Sequence, residues 1–322
     1  MRWGLLSTAN INRKLLAGAE GTSEATVTAV ASRDGSRAEA FAREHGIETA
    51  HSSYEALLED PEVDAVYIPL PNSLHVPWTV RALEAGNHVL CEKPLTRRPA
   101  EAEEAFAAAE QAGRVLEEAF MWRHLPQTHR LRELLDEGAI GRLRMVKASF
   151  SFPLTDVSDI RMQAGLDGGS LMDVGCYCVS ATRLVAGAEP ERVSGEQAIG
   201  GDGVDVAFAA TLRFPDDVIG AFHCGFAVGR RHHLEAIGEE GSLFLADPFH
   251  GVSPGIELRR EDGTETIEIG AGNPYTHELI DFARAVRGEA PPLLGKADAL
   301  AQARVIEALY ESAATAAMKG LT

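Results

Sequence analysis

The chain is poor in positive charge. It carries 30 lysines and arginines against 48 aspartates and glutamates, a formal charge of -18. A nucleic-acid partner is excluded on that ground, because phosphate binding needs a basic surface. Long apolar runs are missing as well, and nothing approaches the roughly 20 residues that span a bilayer. Residues 1–6 go directly into a strand-like stretch with no leader-type apolar segment, so a cytoplasmic protein without a membrane partner is expected. Cysteine is scarce: Cys91, Cys176, Cys178 and Cys224. Cys176 and Cys178 stand two apart and would leave a helix on different sides, which speaks against a disulfide framework or a structural zinc site. His223, Cys224, His232 and His233 lie in strand-like sequence without a spaced carboxylate, so no metal is expected. His129 and His250 read as surface histidines.

What is present is a period. Through the first 120 residues, β-type runs alternate with helix-length segments, the pattern of a parallel α/β sheet. Strands are expected at Arg2–Ser7, Val27–Ala31, Ala65–Ile68, His88–Cys91 and Val115–Glu118. Helices are expected from Asn10, over Ser36–Glu44, Tyr54–Leu58 and Val76–Glu84, and from Pro99 to Gly113. That is a doubly wound dinucleotide-binding domain of the Rossmann type over residues 1–120. Beyond Phe120 the texture changes to a helix at Pro126–Asp136, a long strand at Leu143–Phe152 and a helix opening at Gly168-Gly169-Ser170. Six further β-type runs follow between Val204 and Ile269, separated by turn pairs such as Glu240-Gly241 and Asp262-Gly263. Helices at His277–Val286 and Lys296–Met318 close the chain. Residues 121–322 are therefore expected to form a second α/β domain with a large open, mostly antiparallel sheet, for substrate binding and dimerisation.

The turn after the first strand is Gly4-Leu5-Leu6-Ser7-Thr8-Ala9-Asn10-Ile11. A dinucleotide fingerprint wants glycine at 4, 6 and 9; Gly4 matches, Ala9 is a small substitute and Leu6 departs. The turn still joins a strand to a helix whose free N–H groups can hold a pyrophosphate, with Ser7, Thr8 and Asn10 as added donors. An ordinary strand–helix turn would read the same way. The second strand ends in Ser32-Arg33, with Arg37 one helical turn on. An arginine fork there suits a ribose 2′-phosphate, pointing to NADP over NAD. Asp34 competes for the ribose if the turn is displaced.

Two charged spots remain. Val89-Leu90-Cys91-Glu92-Lys93-Pro94 puts Lys93 where a strand gives out, and the crevice beyond strand carboxyl ends is where open α/β sheets bind ligands. In the stretch Gly168 to Tyr177, Asp173 and Tyr177 stand four apart on one expected helix face. They suit a pocket, with Gly175 leaving room between them. They equally suit a buried tyrosine satisfied by one hydrogen bond beside a helix N-terminus.

Five motifs in order resemble the glucose–fructose oxidoreductase, inositol dehydrogenase and MocA superfamily over nearly the whole chain. They are Trp3-Gly4 with Ser7 to Ile11, Pro71-Asn72-Ser73-Leu74-His75, Cys91-Glu92-Lys93-Pro94, Phe120-Met121-Trp122-Arg123 with Pro126, and Gly168-Gly169 with Asp173 to Tyr177. The resemblance is greatest to the NADP-dependent sugar dehydrogenases and dimeric dihydrodiol dehydrogenases. It implies that Leu70, Asn72, His75 and Glu92 lie near the cofactor. It implies a catalytic pair of Lys93 and Tyr177 assisted by Asp173. Many members carry histidine where Tyr177 stands and aspartate where Ser180 stands, which points away from inositol-type chemistry. The expected reaction is hydride transfer between NADP and an aldose such as D-xylose or a related polyol. Alternatives are a trans-dihydrodiol or dicarbonyl and anhydro-sugar substrate, or a non-catalytic NADP-binding regulator. Wall residues of the substrate pocket are expected at Arg123, His124, Phe152 and Arg161, in a homodimer or homotetramer.

Overall fold

Six short strands with buried Val, Ile, Leu and Ala on both faces can be covered only by helices, and the first sheet is built that way. The structure, a computed structural model, describes residues 1–252 and 254–315. Its elements begin β1 Arg2–Leu6, α1 Asn12–Ala19, β2 Thr26–Ala31, α2 Gly35–His45, β3 Thr49–His51, α3 Tyr54–Leu58, β4 Ala65–Ile68, α4 His75–Glu84, β5 His88–Glu92, α5 Pro99–Ala112 and β6 Leu116–Ala119. All pairs are parallel, in the order β3-β2-β1-β4-β5-β6. The order reverses between β1 and β4, the switch point at which such sheets open a crevice. Neighbouring strands end in register: Leu6 beside Ala31, Ile68 beside Cys91, Glu92 beside Ala119. The residues that follow them therefore share one edge.

The second sheet follows α6 Pro126–Asp136. Its strands are β7 Leu143–Ser151, β8 Arg192–Ile199, β9 Asp205–Arg213, β10 Ile219–Gly225, β11 Arg231–Gly238, β12 Ser242–Leu245, β13 Gly255–Arg260 and β14 Gly263–Glu268, with α7 Cys176–Ala186 between β7 and β8. The order is β14-β13-β12-β11-β7-β10-β9-β8, antiparallel except for the pair β7–β10. Strands β3 and β8 are additions to the sequence reading. Thr49–His51 is only three residues long, and Arg192–Ile199 is a half-exposed edge strand with little apolar alternation.

The chain forms two compact units, and they do not follow a single cut near residue 120. The first takes in Met1–His124 and Gly272–Leu300, the second Leu125–Ala271 and the chain from Ala301. Helix α8 Pro274–Val286 belongs to the first because it packs on α1. A Cβ on Gly18 would stand 2.5 Å from the Tyr275 Cβ, Thr276 Oγ1 donates to the Gly18 carbonyl at 2.7 Å, and Phe282 packs against Trp3 at 5.1 Å. The last helix, α9, is described over Lys296–Thr315; its expected extension to Met318 lies outside the described residues. No helix among the described residues is long and apolar enough to cross a membrane.

Candidate active site

At the carboxyl edge of the first sheet the phosphate turn is displaced from the expected register. Strand β1 continues through Leu6, so Gly4 lies inside it, where a Cβ would meet Leu57 at 2.7 Å. Gly4 is a packing glycine under α3 and not part of the turn. The tight-turn position falls to Ser7, whose φ of 148° is one that glycine adopts freely and other residues adopt at a cost. Such backbone outliers cluster at ligand clamps. Counted from Ser7, the fingerprint positions are Ser7, Ala9 and Asn12. Ser7 Oγ accepts from the Ala9 N–H at 3.2 Å, and buried Asn12 donates Nδ2 to the Ser7 carbonyl at 2.7 Å. Thr8 and Asn10 complete the loop, and Ile11 opens α1 with no side-chain cap.

The β2 end keeps its arginine fork. Asp34 is engaged as the N-cap of α2, accepting from the Ser36 N–H at 3.0 Å and the Ser36 hydroxyl at 2.6 Å. The Ser36 hydrogen bond is also the main reason its carboxyl is held below the usual range. Ser32 is buried and accepts from the Asp34 N–H. Arg33 and Arg37 are exposed, with Arg33 within hydrogen-bonding reach of Tyr54.

Beyond β4, Leu70 and His75 are buried, and His75 ties two loops together. Its Nδ1 faces the Pro94 carbonyl and its Nε2 the Leu70 carbonyl, each at 2.8 Å. Burial pulls the imidazole down to about 4 against those two carbonyls, which favour the protonated ring. Asn72 opens the short 3-10 turn before α4. Lys93 follows β5 directly, is half-buried, and is joined to Pro94 by a cis peptide. Glu92 accepts from the Tyr67 hydroxyl, and from the Lys93 N–H at 3.2 Å.

Two buried acids that the sequence reading passed over, Glu278 and Glu117, lie in the first unit, Glu278 within electrostatic reach of Glu92. Glu278 on α8 is fully buried, and neither carboxylate oxygen has a hydrogen-bond partner among the described residues. Burial first, then Glu92 and Glu117, push its pKa well above the usual carboxylate range. Glu117 on β6 is raised to about 7 by burial, even though the Leu294 N–H donates to it at 3.2 Å. His124 is fully buried between Glu117, at 3.6 Å, and Asp281, at 2.9 Å. It is a core residue and not a pocket wall. Arg123 is largely buried, pairs with Asp298 at 3.7 Å and lies over the Trp122 ring. Its guanidinium is thus committed within the first unit.

In the second unit the stretch before Tyr177 is not a plain α-helix. Leu171–Gly175 is a π-helical turn that passes into α7 at Cys176. Asp173 and Tyr177 therefore do not share one α-helical face in the expected way, and π turns of this kind recur at functional sites. The two glycines are needed for close packing: a Cβ on Gly168 would stand 2.4 Å from the Arg161 carbonyl, and one on Gly169, at φ 119°, 2.2 Å from Asp205 Oδ1. Buried Asp205 anchors the turn by accepting from Ser170 Oγ at 2.6 Å, the Leu171 N–H at 2.7 Å and the Tyr310 hydroxyl at 2.8 Å. Gly175 leaves no room for a ligand, because Cys224 Sγ and Leu171 occupy the space its Cβ would take. Asp173 pairs with Arg161, Nε to Oδ2 at 3.0 Å, and Arg161 also binds Asp159 at 3.1 Å.

Tyr177 is 7% exposed. Its ring lies 5.2 Å from Phe150 and 5.3 Å from Phe249, which stack on each other at 5.1 Å. Phe152 packs on Phe226, one step beyond β7. His250 is only partly exposed: it packs edge-on to Phe150 and donates to Asp247. Asp247 is the carboxylate missing from the sequence reading of His232.

Residues 1–120 match the family model described as "Oxidoreductase family, NAD-binding Rossmann fold", and residues 128–244 match "GFO/IDH/MocA C-terminal domain". The chain belongs to the GFO/IDH/MocA oxidoreductase family. Among its relatives is D-xylose 1-dehydrogenase (NADP(+)) 2 of Haloferax volcanii, 42% identical over 98% of both chains. Mouse trans-1,2-dihydrobenzene-1,2-diol dehydrogenase is 38% identical over 70% of this chain and 69% of its own. Among solved structures, a 3-ketoreductase from Actinomadura kijaniata in complex with NADP and TDP-benzene superposes with a TM-score of 0.91 at 36% identity, covering 97% of each chain. Both sheets of this family member are thus shared with enzymes named as dehydrogenases and reductases.

Proposed function

We propose that this family member is an NADP-dependent oxidoreductase of aldoses such as D-xylose or related polyols, with Tyr177 as the proton-exchanging group and Lys93 as its cationic partner. One observation carries the reading. The 3-ketoreductase was also crystallised with a lysine replaced by alanine and, separately, with a tyrosine replaced by phenylalanine. Those two positions are separated by the same number of residues as Lys93 and Tyr177. The full-length similarity to a D-xylose dehydrogenase favours an aldose over a diol.

The residues at the sheet edge fit the cofactor. Ser7 holds the tight turn in a glycine-like conformation, while Arg33 and Arg37 offer charge to a 2′-phosphate and Asp34 is occupied as a cap. NADP, when bound, supplies the hydride acceptor for oxidation. Lys93 places its ammonium beyond β5, where it favours an anionic oxygen and donates a hydrogen bond to the reacting hydroxyl. Tyr177 takes the proton of that hydroxyl in oxidation and returns it in reduction. A free tyrosine titrates near 10, so a phenolate at neutral pH needs about 3–4 kcal/mol from a nearby cation. His75 holds the β4 and β5 loops together and so positions Lys93. The Asp173–Arg161 pair fixes the turn that leads to Tyr177.

The test is a panel of aldoses, polyols and cyclic diols with NADP and with NAD, read by absorbance of the reduced nicotinamide. Turnover of a pentose or hexose with NADP is expected. Turnover of diols alone, or NADP binding with no turnover of any substrate, overturns the reading.

A further inference from the structure

Three side chains that the proposed reaction leaves unused converge at one end of the second sheet. His232 stands next to the start of β11, paired across the ladder with Phe150. Extending the β11–β12 register past Leu234 beside Leu245 brings Asp247 opposite His232. The turn that follows carries His250 back to the same carboxylate. Asp247 Oδ1 lies 3.2 Å from His250 Nδ1 and 3.6 Å from His232 Nδ1. One donor atom from each of the three residues falls within 4.8 Å of the other two.

We propose that His232, Asp247 and His250 form a binding site for a divalent transition cation of the Zn²⁺ class, with its remaining coordination positions open. Two imidazoles and one carboxylate suit a borderline cation and suit neither Mg²⁺ nor Ca²⁺, which take oxygen ligands. Zn–N and Zn–O bonds of about 2.0–2.2 Å in a tetrahedron place donor atoms about 3.4 Å apart. The two donor distances from Asp247 already match that figure. The half-exposed imidazoles can close the wider gap by turning about their side-chain bonds.

The carboxylate is held as metal ligands are held. Its Oδ2 accepts from the Val252 N–H at 2.9 Å, and Gln127 Nε2 donates to the carbonyls of both Asp247 and Pro248. Phe150, edge-on to both imidazoles, walls the cluster on one side. The binding step is an exchange at two nitrogens: the cation takes the Nδ1 positions of His250 and His232, whose protons now face Asp247 Oδ1 and, at 3.3 Å, the Ala246 carbonyl, and each neutral imidazole carries its proton on Nε2 instead. The site does not depend on the identity of the sugar substrate.

The test uses chelator-stripped full-length protein titrated with Zn²⁺, by calorimetry and by competition with a chromophoric chelator. Co²⁺ serves as a spectroscopic probe of imidazole coordination. One equivalent of Zn²⁺ is expected to bind and to raise the thermal midpoint. His232→Ala, His250→Ala and Asp247→Asn should each weaken it by about tenfold or more. His223→Ala, on the separate pair of imidazoles with His233, should leave it unchanged. Asp247→Asn also alters the Val252 contact, so the two histidine variants decide the matter, each checked by circular dichroism. Zn²⁺ uptake no greater than in the His232→Ala/His250→Ala double variant, or uptake that neither histidine substitution weakens, overturns the proposal.

Discussion

Lys93 and Tyr177 sit in opposite kinds of surroundings. Lys93 leaves a strand end beside the Glu92 carboxylate, which accepts from the Lys93 N–H and from the Tyr67 hydroxyl. Tyr177 lies among the rings of Phe150 and Phe249, at the end of a π turn. Anionic neighbours keep an ammonium charged, whereas an apolar wall disfavours a phenolate. The difference teaches why the proposed chemistry needs both groups, and each variant below probes one side of that contrast.

The largest effect is expected on turnover. Tyr177→Phe and Lys93→Ala should each fold and bind NADP but lose about 10²–10⁴ in kcat, the usual worth of positioned proton transfer. Steady-state kinetics with fluorescence titration of the cofactor checks this, and near-normal turnover in either variant removes that residue from the mechanism. Next comes Gly169→Ala, which places a Cβ on Asp205 at a φ suited to glycine. It should lower stability by about 2–5 kcal/mol, from overpacking and backbone strain combined, as read by denaturant unfolding.

In the first unit, Glu117 is raised from 4.5 to about 7. A carboxyl with a raised folded-state pKa contributes stability at low pH that is lost as pH climbs from its unfolded value toward the folded one. Glu117→Gln keeps an acceptor for the Leu294 N–H and removes that loss. The variant should gain on the parent by up to about 3 kcal/mol between about pH 5 and pH 8. An equal difference at both pH values would show that Glu117 is ionised in both. His124, Asp281 and Arg123 face the same carboxyl and stay unchanged. The smallest effect is expected for Arg33→Ala. It should weaken NADP by roughly ten- to a hundredfold, one charged hydrogen bond of about 1.5–3 kcal/mol, and leave NAD nearly unaffected. Equal weakening of both would remove the 2′-phosphate contact.

The first sheet was legible because in parallel α/β order the ligand-facing residues are those that follow each strand. Lys93 and Arg33 could be read from position alone, whereas His75 came only with the family resemblance. The phosphate turn was misplaced by three residues because Gly4 mimics a fingerprint glycine, while Ser7, with φ 148°, does a glycine's job without being one. Composition carries no trace of that. The antiparallel sheet hid more, since its neighbours depend on register: Asp247 reaches His232 only through the β11–β12 hairpin. Glu278 was hidden for a different reason. An acid on an amphipathic helix reads as solvent-facing, yet α8 turns it fully inward. The commitments of Arg123 to Asp298 and Arg161 to Asp173 are long-range pairings with no local signature.

The central claim is that Lys93 and Tyr177 work as one unit. A double-mutant cycle on kcat, using Tyr177→Phe, Lys93→Ala and the two combined, tests it directly. If they form a unit, the double variant is about as slow as the slower single variant, because the second substitution removes a partner already silenced. Losses that multiply would show two residues acting independently and would contradict the account.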